Sequence, residues 1–148
     1  MPRTEPSEEQ RSWELTVPIA ISSDTIWGLD AYRSCMFLLE CVQRDLNACK
    51  TRESTRDQLI RAAGDAAAAL AEGYSRATKA DRVRFYGYTL GSIRECVVWY
   101  SGLRDVLPEP VLAQRLTLTA RCRALTLGMI NSDRTAQPPQ KTRHRFEP

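Results

Sequence analysis

The chain has 148 residues, 43% of them hydrophobic and 26% charged, which sets the expectation of one globular domain with an ordinary core. A net charge of +3, with 21 Lys+Arg against 18 Asp+Glu, is too small to mark a nucleic-acid module by itself. No uncharged run approaches the ~20 residues that a membrane helix needs, and the polar, acidic start MPRTEPSEEQ has no apolar core of a secretory signal, so a cytoplasmic location is expected.

Residues 1–22 are poor in periodicity and broken by Pro2, Pro6 and Pro18, so they read as a loose N-terminal arm. A first helix opens at Ser23 or Asp24, a plausible N-cap, and runs to about Ala48. A second runs from about Thr55 to Glu72 and stops at Gly73, the residue type favoured just past a helix end. The third starts with Thr78-Lys79-Ala80-Asp81, close to a capping box, and continues to about Val106. The fourth starts near Pro110, suited to a first helical turn, and ends near Asn131. Residues 132–148 hold two adjacent prolines and a basic run (Lys141, Arg143, Arg145) and read as a disordered basic tail. No strand or hairpin signal competes. The expected fold is all-α: an antiparallel up-down-up-down four-helix bundle over residues 23–131.

The third and fourth helices each carry two apolar stripes at helical spacing. In the third, Val83, Tyr86, Leu90, Ile93, Val97 and Tyr100 form one; Phe85, Tyr88, Trp99 and Leu103 form the other. In the fourth, Val111, Leu118, Cys122, Leu125 and Met129 form one; Leu112, Leu116, Leu127 and Ile130 form the other. A surface helix needs one stripe. The second is expected to meet another subunit, with Phe85, Tyr88, Trp99, Leu103, Leu112 and Leu116 at a homo-oligomer interface. In the second helix, Ala62, Ala63, Ala66, Ala67 and Leu70 share a face, and in the third Gly87 and Gly91 share another. Small side chains allow close approach, so Ala66 and Ala67 are expected to pack on the two glycines in a tight hairpin.

Little points to catalysis. His144 is the only histidine, which removes Ser-His-Asp and Cys-His chemistry and most zinc sites. Cys35, Cys41, Cys49, Cys96 and Cys122 include no C-x-x-C pair and read as small buried apolar residues. Neither phosphate-binding glycine motif occurs. Glu72 and Glu95 read as structural carboxylates accepting from arginines such as Arg61, Arg76 or Arg94. No catalytic residue, metal or cofactor is expected.

Basic residues cluster locally. Arg76, Lys79, Arg82 and Arg84 face only Asp81, and Arg115, Arg121 and Arg123 lie in a stretch without acids. The arginine fork suits phosphate, and with no base-reading motif the contacts expected are mainly to phosphate.

Residues 57–95, DQLIRAAGDAAAALAEGYSRATKADRVRFYGYTLGSIRE, resemble the four-helix-bundle proteins encoded in intervening sequences of 23S rRNA genes. That family includes the accessory variability determinant proteins of diversity-generating retroelements. The resemblance lies in Gln58-Leu59-Ile60-Arg61-Ala62, Ala71-Glu72-Gly73, Arg76, Phe85 and Gly91-Ser92-Ile93-Arg94-Glu95. Gly64-Asp65 and Ala69-Leu70 depart from the family's Ser-Ile and Asn, so a role for that Asn does not carry over. The resemblance implies a ring- or barrel-like homo-oligomer, a pentamer in the accessory proteins, which binds RNA or DNA and a reverse transcriptase without catalysis. The competing expectation is a protein–protein scaffold whose arginines only keep it soluble.

Overall fold

A computed structural model describes residues 5–135. Among them are six α-helices and no strand: α1 (Glu8–Glu14), α2 (Ile19–Ser22), α3 (Asp30–Ala48), α4 (Glu53–Tyr74), α5 (Lys79–Ser101) and α6 (Glu109–Thr135). None is long and apolar enough to cross a membrane.

The helix ends have local causes. Thr78 accepts from the Asp81 amide at 3.2 Å and starts α5, as its sequence pattern indicates. Asp24 does cap, but it caps a 3-10 turn, Thr25–Gly28, by accepting from the Ile26 amide at 3.0 Å. Leu29 is then extended, so α3 begins only at Asp30. Past α5, the backbone turns, and Leu103 and Leu107 fold back into the core. α6 continues beyond Asn131, and its Asp133 is held by Arg82 through two hydrogen bonds of 3.1 Å. Of the basic tail, residues 136–148, with Lys141, Arg143, His144 and Arg145, lie outside the described residues.

The arm is not loose where it is described. Ser7 accepts from the Gln10 amide at 3.1 Å and nucleates α1. Trp13 packs its ring on Phe37 at 5.3 Å and on Trp27 at 6.1 Å, and Gln10 is buried.

Each long helix packs on two others: α3 on α4 and α6, and α5 on α4 and α6. The core they enclose includes Phe37, Leu38, Leu46, Leu59, Leu70, Ile93 and Tyr100. Cys35, Cys41, Cys96 and Cys122 are buried in it as free thiols, and burial pushes those of Cys41 and Cys96 up to about 12.

The alanine face of α4 is buried, with Ala62, Ala63, Ala66 and Ala67 all in the core. Its partner is not the glycine face. Thr89 of α5 donates its hydroxyl to the Ala66 carbonyl at 3.1 Å, and Tyr86, Thr89, Ile93 and Cys96 point inward with it. Gly87 and Gly91 are exposed, and a Cβ at either would meet nothing within 4 Å. The glycine that requires its missing side chain is Gly73. It lies inside α4, not past its end, and no described residue has a positive φ. A Cβ there would come within 2.7 Å and 2.9 Å of the Tyr86 ring and 3.0 Å of Phe85 Cβ.

Of the residues expected at an interface, one is closed to it within the chain. Leu103 is fully buried, and Trp99, Leu112 and Leu116 pack against the same core within one chain. A helix held between two neighbours is apolar on two sides, so a second stripe does not by itself require a second subunit. Tyr88 stays exposed, at 55%. Phe85 is half-buried under arginine side chains.

Candidate nucleic-acid interface

Four of the seven cationic residues singled out from the sequence meet at one corner, where α4 turns into α5. Arg76 sits in the turn, Lys79 is the first residue of α5, and Arg82 and Arg84 follow on its first turns. The corner is built on Phe85. The guanidinium carbon of Arg76 lies 4.4 Å from the centre of that ring, and that of Arg84 lies 5.2 Å away. Each is a cation–π contact, which orders the arginine while leaving its N–H donors for an anion. Tyr88 meets Phe85 edge to face, with centroids 5.5 Å apart and planes at 84°.

The four cations are not equivalent. Arg82 is committed to Asp133 by its two-pronged contact, and it also donates to the Arg76 carbonyl at 3.3 Å. The hydrogen bond to Asp133 raises its pKa further. Arg82 is therefore a tie between α5, α6 and the turn, and it holds the backbone that carries Arg76. Arg84 lies 3.7 Å from Asp81, both largely exposed, a weak pair. Arg76, Lys79 and Arg84 are exposed.

In the other cluster, two of the three arginines are turned away from solvent. Arg115 and Arg121 are buried, at 7% and 4% exposure, because α1 and α3 cover them. Arg115 binds Asp45 through Nε at 2.8 Å and a second N–H at 3.1 Å, and Tyr100 donates its hydroxyl to the same carboxylate at 2.8 Å. Burial opposes the Arg115 charge, yet the bonds and charges around it prevail and its pKa rises. Arg121 donates to Ser34 Oγ and, at 3.3 Å, to Gln10. Burial lowers its pKa. Arg123 is half-buried on α6. Glu72 and Glu95 are exposed, and no ion pair joins them to Arg61, Arg76 or Arg94 among the described residues.

Asp45, Glu9, Gln10 and Ser34, which neutralise or bind the buried arginines, drew no notice in the sequence. One signal for them exists: Ser7-Glu8-Glu9-Gln10 has capping-box spacing, and it announces α1.

A model of the 23S rRNA-intervening sequence protein family matches residues 29–107. The chain belongs to this family. No curated protein matches it. The part shared with the intervening-sequence proteins runs from Leu29 through α3, α4 and α5 to Leu107. It includes the whole arginine–aromatic corner. It leaves out α6, which carries Arg115 and Arg121, and α1, which helps to cover them.

Proposed function

We propose that this protein is a non-catalytic, oligomeric nucleic-acid-binding adaptor of the cytoplasm, working beside a reverse transcriptase or a similar nucleic-acid enzyme. In this reading the four long helices form an up-down-up-down bundle, since short turns connect helices that pack side by side. Bundles assemble into a ring, a pentamer by family resemblance, and the ring repeats one small cationic corner around its axis. Repetition multiplies a field that a net charge of +3 cannot supply alone.

The observation that carries the reading is the pair of guanidiniums ordered on Phe85, at an exposed turn inside the family-matched region. Arg76, Lys79 and Arg84 contact phosphates, and Arg82 holds them in place. Arg115 and Arg121 serve the fold. With no group aimed at base edges, sequence preference is slight.

The test is a titration of labelled RNA and DNA at two salt concentrations. Binding should weaken steeply with salt, because neutralised phosphates release counterions. Replacing Arg76 and Arg84 together by Ala should lower affinity about tenfold or more and flatten the salt dependence by ~1–2 in log–log slope. Both side chains are exposed, so helical circular dichroism should not change. If neither nucleic acid binds at low salt, the corner is a protein-contact surface and the scaffold reading replaces this one.

A further inference from the structure

We propose that Tyr88 is a base-stacking platform, and that the corner therefore takes single-stranded nucleic acid in preference to duplex. The inference rests on the phosphate-binding reading of the same corner.

Tyr88 is a large aromatic side chain left 55% exposed beside ordered cations. It is not a loose one. Its edge-to-face contact with Phe85 fixes the ring, and Phe85 is itself held by Arg76 and Arg84. A pre-oriented ring loses little freedom when a base settles on it. Gly87 precedes Tyr88 and Gly91 lies one turn further on, and a side chain at either would meet nothing within 4 Å. Glycine inside a helix costs stability, and within one chain neither glycine is required by packing. Their placement leaves the helix backbone uncovered on either side of Tyr88 along the chain, where a nucleotide can approach it closely.

Charge and stacking surface also lie at a suitable separation. Arg84 and Tyr88 are one helical turn apart, about 6 Å along the axis. Arginine forks take the phosphates, and the tyrosine takes the face of a neighbouring base. Stacking on an aromatic is indifferent to base identity, because every base has a π-face. Duplex offers such a face only at its two ends: its internal bases are stacked on one another, and exposing one requires unstacking. Along its length a duplex can use only the arginines. Asp81 beside Arg84, and Glu72 lining a shallow depression with Arg76, weaken the local field and make the aromatic contribution more decisive.

The test compares a labelled oligouridylate with a blunt RNA duplex of equal length, using the parent chain, Tyr88→Ala, Tyr88→Phe and the Arg76→Ala/Arg84→Ala pair. The parent should bind the single strand more tightly. Tyr88→Ala should weaken oligouridylate binding about tenfold, leave duplex binding unchanged, and keep the parent's helical circular dichroism. Tyr88→Phe should bind as the parent does. Duplex bound as tightly as the single strand, or a Tyr88→Ala variant that loses both equally or neither, overturns the proposal while the arginine pair still marks the site. Absence of binding to both forms at low salt removes the functional reading, and this inference with it.

Discussion

Two glycines in adjacent helices show how differently one residue type can be used. Gly73 is needed because Tyr86 and Phe85 lie against its α-carbon. Tyr86 is itself 2% exposed and has no room to retreat. Gly73→Ala should therefore destabilise by about 1–3 kcal/mol through overpacking, despite alanine's better helix propensity. Gly91 is the opposite case. Its helix is regular and its surroundings are empty. Gly91→Ala should be neutral or stabilising by up to about 1 kcal/mol. Urea unfolding of the two variants checks both signs at once. A stable Gly73→Ala variant would mean that α4 and α5 are not in close contact at this corner. A strongly destabilised Gly91→Ala variant would restore the glycine face as a packing surface.

For the helices as elements, the arginines of α6 bind structure together. Arg115 joins α6 to Asp45 of α3, to Tyr100 of α5 through that carboxylate, and to Glu9 of α1 at 3.6 Å. Arg121 reaches Ser34 of α3 and Gln10 of α1. Cations placed among apolar stripes thus found carboxylates and hydroxyls from other helices. Removing one member of a buried pair leaves an uncompensated charge. Asp45→Ala should cost about 3–5 kcal/mol, while Asp45→Leu combined with Arg115→Met should recover much of that loss. Thermal and urea unfolding of the single and double variants measures the difference. If Asp45→Ala unfolds like the parent, Arg115 is solvated rather than buried.

For the whole molecule, the proposed assembly has to use surface that one chain leaves open. Leu103 is spent on the internal core, and Trp99, Leu112 and Leu116 are partly spent on it. With Tyr88 given to the nucleic-acid corner, the large apolar side chain that α5 leaves exposed for assembly is Val98, at 64%. Light scattering behind a sizing column should give a mass several times 16.8 kDa. Val98→Glu should reduce that mass and keep the helical circular dichroism, whereas Trp99→Glu should disturb the fold. A parent chain that elutes as a monomer at micromolar concentration removes the oligomer from the proposal.

Secondary structure was largely legible because it is decided locally. The Thr78 cap, the helical spacing of apolar residues and the absence of turn pairs between strands act over a few residues, and the four long helices follow from them. The arginine corner was legible for the same reason: Arg76, Lys79, Arg82 and Arg84 are neighbours along the chain. What only the tertiary structure decided was partnership. Periodicity tells which side chains share a face of a helix, but not which neighbour that face meets. Hence Ala66 of α4 meets Thr89 and not Gly91, and the second stripe of α5 divides, with Leu103 buried and Tyr88 left exposed. The same holds for charge. A sequence records that Arg115 and Arg121 are cations; their burial depends on Asp45, Ser34 and Gln10, which lie 70 to 111 residues away along the chain. Local pattern sets the elements, and long-range complementarity of shape and charge sets what each surface is for.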